Sequence, residues 1–271
     1  MRRNVTTNIT EMQKPKLKNP IMVVGLPGVG NVGRMAAGYL IEGLEATKFA
    51  ELNSSHFMPF VLLQKGAAVH VINNEFYYWR AEKAGQRDLV ILIGDSQSID
   101  PEGHYEISDA ILQYAKGIGV TEILTLAGLG VGQKKDKPKV VGVVNDASVT
   151  KKYKDSGMDF SEGDRVGTIV GAAGLLIGFG RKHGIDGMCI LGETSGVPLI
   201  PDPKAAEEVL KVLVRMLKVK VDMSRIQKKV KETEAFLKRV ETVQQNAVMQ
   251  MIKQQMPEAA KKDEKELTYI G

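Results

Sequence analysis

Residues 19–44, NPIMVVGLPGVGNVGRMAAGYLIEGL, form one uninterrupted pattern of strand, glycine turn and helix. Residues 20–26 are a short apolar run with β-branched Val23 and Val24, bounded by Pro and Gly, which is typical of a strand covered on both faces. From Asn31 onward, small and apolar residues recur at helical spacing; they are Val32, Met35, Ala36, Tyr39, Leu40 and Gly43. This succession predicts an α/β protein whose later elements pack against this strand and helix.

The turn contains Gly28, Gly30 and Gly33, which match the G-x-G-x-x-G pattern of dinucleotide-binding proteins. That pattern also requires parallel crossovers and an acidic residue about 20 positions later, and Glu51 stands at a suitable distance. However, residues 60–81 divide into three short strand-like runs whose connections of two or three residues favour antiparallel hairpins. We therefore favour a structural role, in which the glycines permit a tight turn and close contact between helix and sheet.

The composition predicts a globular protein, because 43% of the 271 residues are apolar and 25% are charged. No apolar run is long enough to span a membrane and residues 1–18 lack the apolar core of a secretion signal, so we expect a cytoplasmic location without a membrane partner. The net charge is +5, but acidic residues interrupt the basic ones near the C-terminus and no aromatic platform accompanies them. We therefore expect no nucleic-acid partner.

The cysteine and histidine residues give no sign of a metal site. Cys189 is the single cysteine and lies inside the apolar run GMCIL, which predicts an inert buried thiol. The four histidines lie far apart in the sequence, without the spacing of metal ligands. We expect neither a metal nor another cofactor.

Polar residues follow two predicted buried strands, residues 88–94 and 187–192. These polar residues are Asp95, Ser96, Gln97, Glu193, Thr194 and Ser195. If both strands belong to one parallel sheet, the six side chains can converge at its C-terminal edge and form a site with paired carboxylates or a hydroxyl nucleophile. They can equally serve to cap loops. No serine lies in a G-x-S-x-G elbow and no histidine is placed to act as its base, so we favour structure and partner contacts over catalysis.

The region after Val221 has a heptad pattern over about four repeats, which predicts a long helix. Its apolar stripe indicates packing in a multi-helix cluster or on the globular domain, and we expect the helix to hold subunits together. The predicted contact residues are Ile226, Val230, Leu237, Val240, Ala247 and Met251. Pro257 ends the helix. The predicted organisation is a polar segment (1–18), an α/β domain (19–220), a helical extension (221–257) and a charged, flexible tail (258–271).

Three motifs, GLPGVGNVG at 25–33, GDSQ at 94–97 and GET at 192–194, resemble in their order those of the proteasome-assembly-chaperone family, particularly its archaeal members. The resemblance covers roughly residues 18–220. It implies a three-layer α/β/α fold similar to nucleoside phosphorylases, in a protein that helps α-subunits of the 20S proteasome assemble or activates the particle. It also implies homo-oligomers of roughly four or five subunits, and allows a related hetero-partner.

The C-terminal residues also suggest contact with the proteasome. Proteasome activators generally end in a hydrophobic residue, then Tyr, then any residue, so that the terminal carboxylate and the Tyr dock between α-subunits. This chain ends in Leu267, Thr268, Tyr269, Ile270 and Gly271, which places the Tyr one position early. We nevertheless expect weak, multivalent docking through Leu267, Tyr269, Ile270 and Gly271.

Two functions from different classes remain. The first is a non-enzymatic chaperone or adaptor that binds the proteasome α-ring. The second is a small-molecule enzyme of nucleoside-phosphorylase or ATP-dependent-ligase type that uses the strand-end loops at Gly28, Asp95 and Glu193. The sequence has no phosphate-loop lysine, metal set or nucleophile-base pair, which favours the first.

Overall fold

An eight-stranded mixed sheet forms the centre of the protein in this computed structural model, which describes residues 6–133, 135–161, 167–197 and 200–255. The strands of the described chain, two of which (β4 and β5) lie outside this sheet, are β1 (Thr7–Glu11), β2 (Ile21–Gly25), β3 (Thr47–Ser54), β4 (Val61–Leu63), β5 (Val69–Val71), β6 (Asn74–Trp79), β7 (Leu89–Gly94), β8 (Glu122–Gly130), β9 (Val140–Val144) and β10 (Asp186–Thr194). The helices are α1 (Val32–Leu44), α2 (Pro101–Gly117), α3 (Ala147–Lys152), α4 (Ala172–Gly180), α5 (Pro203–Leu217) and α6 (Met223–Gln255).

The strand order in the sheet is β1-β3-β6-β7-β2-β8-β10-β9. The four central strands, β7, β2, β8 and β10, are mutually parallel, whereas β1, β3, β6 and β9 each pair antiparallel with their neighbours. Strands β4 and β5 form a separate antiparallel hairpin. The short connection between β4 and β5 therefore makes an antiparallel pair, as the sequence predicts. The next connection does not, because β6 pairs with β3 and β7 rather than with β5.

Helices cover both faces of the central strands. Met22 and Val24 of β2 lie in one apolar cluster with residues of α2 and α4, such as Ile111 and Leu176. Successive strand residues point to opposite faces, so Val23 and Gly25 face away from this cluster. Gly25 lies against α1, which covers the second face of the sheet. Helix α1 also packs against α5. The α/β class is thus confirmed, with helices on both sides of the sheet, while the similarity to nucleoside phosphorylases stays a prediction.

Two predicted boundaries need correction. Residues 1–18 were expected to be a polar segment apart from the domain, but Thr7–Glu11 forms β1 at the edge of the sheet, paired with β3. The apolar stretch of residues 167–183, GTIVGAAGLLIGFGRKH, is long enough to predict a buried helix, but α4 begins at Ala172. Gly171 has φ of +79°, which is incompatible with a right-handed helix, so the helix cannot extend back through Gly171.

The described chain separates into two compact units, Met1–Ile226 and Gln227–Gly271. The first contains the sheet, and the second consists, within the described residues, of most of the 33-residue helix α6.

Cys189 is fully buried in β10, and burial raises the pKa of its thiol to about 12. Across the described ranges, no helix is both long and apolar enough to cross a membrane.

Candidate functional site

The carboxyl ends of the four parallel strands meet at one edge of the sheet, where ligands of open α/β proteins usually bind. The glycine turn follows β2, and Asp95, Ser96 and Gln97 follow β7. Strand β8 ends at Gly130, and Thr194 ends β10 beside it in the parallel register. The polar residues singled out from the sequence are therefore brought to one edge.

Close backbone packing explains the glycines of the turn. A Cβ on Gly33 would lie 2.1 Å from the carbonyl oxygen of Leu126 in β8. A Cβ on Gly25 would lie 2.3 Å from the carbonyl oxygen of Gly33 and 2.5 Å from the Cβ of Ala37. Gly30 has φ of +62°, a conformation that other residues adopt at a cost. These contacts confirm the structural interpretation, a tight turn followed by a helix pressed onto the sheet.

The strand order separates the glycine turn from the acid that a dinucleotide site requires. Glu51 lies on β3, and β6 and β7 stand between β3 and β2. Three steps between neighbouring strands amount to roughly 14 Å. The Glu51 carboxylate is instead 2.5 Å from the ammonium of Lys48. The geometry of the dinucleotide fingerprint is therefore not present around Glu51.

Asp95 connects the start of α1 to the hairpin. Arg34 of α1 donates from Nε to the carbonyl of Gly94 at 2.7 Å and from Nη2 to Asp95 Oδ1 at 3.1 Å. The other carboxylate oxygen, Oδ2, is 2.6 Å from Nε2 of His70 on β5. Both oxygens of the carboxylate are thus engaged by side chains of other elements, which fixes the end of β7 relative to α1 and β5.

Gln97 connects the glycine turn to α4. Its side-chain amide donates to the carbonyl of Pro27 at 2.6 Å, and its carbonyl oxygen accepts from the backbone N–H of Ala172, the first residue of α4, at 2.9 Å. The neighbouring Ser96 hydroxyl donates to the carbonyl of Gln97 at 2.6 Å. The predicted polar loop after β7 therefore serves as a set of loop and helix caps.

Thr194 holds the glycine turn through a partner that sequence reasoning missed, Asp202. The Thr194 hydroxyl donates to Asp202 Oδ2 at 2.9 Å, and both side chains are buried. The backbone N–H of Asp202 donates to the carbonyl of Gly30 at 2.8 Å. Asp202 also caps α5 by accepting from the N–H of Ala205 at 3.1 Å. An Asp directly before a Pro at a helix start is a capping signal that could have identified it.

Glu193 points to the opposite face of β10 from Thr194, as strand alternation requires. It is buried and accepts from Lys135 Nζ at 2.7 Å and from the backbone N–H of Lys139 at 2.9 Å. Burial acts to raise the pKa of this carboxyl, but the two hydrogen bonds and the lysine charges outweigh it and hold the pKa below its usual range. Ser195, the next residue, is half-buried.

Two clefts open between these loops. The first, of about 540 Å³, lies between the ends of β2 and β8 and the segment before α4, and its polar lining side chains are Gln97, Ser98, His104 and Thr168. The second, of about 530 Å³, lies on the other side of the turn beside Arg34 and Asp95. Both volumes suit a small molecule or a short peptide segment. In the part of the chain that the structure describes, no group of three potential metal-ligating residues occurs.

The predicted contacts on α6 differ in exposure. Ile226 and Val230 are buried. Leu237 is half-buried and Val240 is exposed. The side chains of Ala247 and Met251 lie outside the described residues, as do Leu267, Tyr269, Ile270 and Gly271. Exposed Phe236 and Val243, four and three positions from Val240, extend an apolar stripe that the predicted heptad positions do not include.

The chain belongs to the PAC2 family, which it matches over residues 22–241. It is similar to Pyrococcus furiosus PbaB, an archaeal proteasome activator, at 39% sequence identity and a TM-score of 0.81, over 88% of this chain and all of PbaB. It is also similar to Pyrococcus furiosus PbaA, an archaeal homologue of proteasome-assembly chaperone, at 28% identity and a TM-score of 0.69, over 89% of this chain and 99% of PbaA.

A third relative is the Methanocaldococcus jannaschii protein MJ1210, which is described as uncharacterized. It is 32% identical over 255 residues, which are 94% of this chain and 93% of that protein. Together, these matches confirm the resemblance to archaeal proteasome-assembly-chaperone homologues that the three glycine-containing motifs indicate.

Proposed function

We propose that this protein is a non-enzymatic adaptor that binds the α-ring of the 20S proteasome and assists its assembly or activates it. The observation that carries the proposal is the 39% identity to the proteasome activator PbaB over 88% of the chain. The polar groups at the carboxyl edge support it, because Asp95, Gln97 and Thr194 make hydrogen bonds that connect loops within the protein. A cytoplasmic location is part of the proposal.

The tail is the proposed docking element. Leu267, Tyr269 and Ile270 end a charged segment that follows the long helix, as a peptide ligand on a tether would. We infer that Tyr269 and Gly271 are the anchors on the α-ring. Several tails on one oligomer raise the effective concentration of the second and later contacts, so each single contact can be weak.

Binding of the full-length protein to isolated α-rings tests the tail directly. The comparison includes Tyr269→Ala, a chain without residues 267–271, and Thr268→Ala as a matched control that changes the neighbouring side chain. We expect both tail variants to lose binding at least about tenfold, since the loss at each tail is multiplied across the oligomer, while Thr268→Ala keeps it. Unchanged binding in both tail variants would reject the tail and leave the surface of the α/β domain as the interface.

Homo-oligomers are part of the same proposal, with roughly four or five subunits and room for a related hetero-partner. The apolar stripe of Phe236, Val240 and Val243 supports a contact through α6, because large apolar side chains aligned on one helix face usually mark an interaction surface. Molar mass in solution, measured for the full chain and for a Phe236→Lys, Val243→Lys variant, tests the contact. An unchanged mass in the variant would reject it.

A second candidate function rests on the cleft of about 540 Å³ at the carboxyl ends of the strands. An enzyme of nucleoside-phosphorylase or ATP-dependent-ligase type would bind its substrate at this edge, and a nucleoside-phosphorylase-like fold would accord with it. Ligand binding raises thermal stability by mass action. A reproducible rise of the thermal midpoint with a nucleoside or nucleotide would favour the enzyme over the adaptor.

A further inference from the structure

The hairpin formed by β4 and β5 stands outside the main sheet. Its register pairs Val61 with Val71, Leu62 with His70 and Leu63 with Val69. The turn between the strands is closed by a hydrogen bond from the Gln64 N–H to the Ala68 carbonyl at 2.9 Å. Because paired residues of an antiparallel hairpin point to the same face, the register divides the side chains into two sets.

The His70 contact shows which set faces the domain. His70 Nε2 lies 2.6 Å from Asp95 Oδ2 at the end of β7, so the His70 side chain is turned towards the sheet, while Leu62, which pairs with it, is still 42% exposed. The other face carries four aliphatic side chains and is turned to solvent. Their exposed fractions are 45% for Val61, 82% for Leu63, 61% for Val69 and 61% for Val71.

This arrangement is the reverse of what an exposed hairpin normally shows. The solvent side of an antiparallel pair is usually polar, and two strands alone are marginally stable in water. Exposed Met58 and Phe60 extend the apolar surface towards the start of β4. A contiguous apolar surface of this kind marks an interaction site. We name these six residues, Met58, Phe60, Val61, Leu63, Val69 and Val71, the hairpin surface.

We propose that the hairpin surface contacts a second copy of this chain. The chain carries a net charge of +5, so two copies repel each other wherever charged surfaces approach. Between residues 58 and 72 the ionisable side chains are Lys65, at the turn, and His70, on the face towards the domain. The hairpin surface therefore lets two basic copies meet without placing like charges in the contact. The inference rests on the homo-oligomer of the proposed function and assigns it a surface on the α/β domain.

Molar mass of the full chain in solution, measured by light scattering over a dilution series, tests the contact. The hairpin variant is Leu63→Lys combined with Val69→Lys. The matched control is Val170→Lys, because Val170 has the same exposed fraction as Leu63, 82%, and lies outside the hairpin. A third arm is the α6 variant Phe236→Lys, Val243→Lys. Unfolding followed by the fluorescence of Trp79, the single tryptophan, checks that each variant is folded.

We expect the hairpin variant, still folded, to dissociate at a concentration at least about tenfold higher than the unsubstituted chain, since charges placed in an apolar contact remove its central anchors. The control is expected to keep the original mass. A monomeric unsubstituted chain, or a hairpin variant with unchanged mass, would overturn the proposal.

Binding to α-rings, measured on the same preparations, separates this proposal from the proposed function. A hairpin variant of unchanged mass that no longer binds α-rings would assign the surface to the proteasome and overturn the contact between copies. An unsubstituted oligomer that fails to bind α-rings, but loses mass in the hairpin variant, would reject the proposed function and support the hairpin contact.

Discussion

Replacing Gly33 by Ala tests whether close backbone packing is the reason for the glycine turn. Gly33 has helical rather than left-handed geometry, so the substitution adds a methyl group without backbone strain. The new Cβ would lie 2.1 Å from the Leu126 carbonyl oxygen, whereas ordinary contact begins near 3.4 Å. Helix α1 and strand β8 must therefore separate by about 1.3 Å.

No side-chain rotation can relieve this overlap, because the atom that the methyl meets belongs to the backbone of a central strand. Separation would also loosen the contacts of fully buried Val32 and Leu40 on α1. Overpacking of a core costs about 1–3 kcal/mol and occasionally more. We place Gly33→Ala at the upper end, about 3 kcal/mol of unfolding free energy, which corresponds to a fall in Tm of roughly 6–12 °C.

Gly178→Ala is the matched control. Gly178 lies in α4, and a Cβ there has no atom of another residue within 4 Å beyond its own helix and chain neighbours. The gain in helix propensity is expected to stabilise the protein by about 0.5–1 kcal/mol. Urea unfolding followed by Trp79 fluorescence measures both variants, since Trp79 lies in β6 of the sheet. A loss below about 1 kcal/mol in Gly33→Ala would refute the reasoning from close packing.

Two further outcomes are expected. Thr194→Val removes the hydroxyl that donates to buried Asp202, so it should lower the free energy of unfolding, measured in urea, by about 1–3 kcal/mol. The control Thr242→Val on α6, whose hydroxyl is exposed, should change it by less than about 0.5 kcal/mol. Equal effects of the two substitutions would contradict the role of the buried pair. The hydrogen bond from His56 to Asp100, the N-cap of α2, raises the pKa of His56 above its ordinary value of 6.5. Its stabilisation is therefore complete below pH 6.5 and is lost as the pH rises through the raised value. His56→Gln should accordingly lose more stability at pH 5 than at pH 9, and an NMR titration of His56 with a pKa at or below 6.5 would contradict this.

Local sequence signals were sufficient to predict those elements whose boundaries depend on residues within a few positions of one another. Asp100 followed by Pro101 predicts the start of α2, and in the structure Asp100 accepts from the N–H of Gly103 at 2.7 Å. The glycine spacing after β2 likewise predicts a tight turn and a close helix, because both depend on residues within a few positions of one another.

Structural features that depend on contacts between separate parts of the chain could not be predicted from such local signals. Strand β1 is polar and short, and it becomes a strand because β3 offers it an edge, a partner that lies about 40 residues away in the sequence. The bond between Thr194 and Asp202 depends on where a loop that follows β10 returns to the glycine turn. The apolar side of the hairpin can be assigned only once the contact of His70 with Asp95 shows which side faces the domain.

The strand order has a consequence for how the chain folds during synthesis. Strand β2 lies between β7 and β8, so its two neighbours are made about 65 and 100 residues after it, and β10, which completes the parallel centre, is made last. At about 5–20 residues per second, the ribosome needs roughly 10–35 s to reach β10 after β2. During that interval the apolar β2 has no complete sheet to enter. The segment that is translated first among the central strands therefore waits longest for its partners, which exposes the nascent chain to aggregation and makes the formation of these distant pairings a slow step in folding.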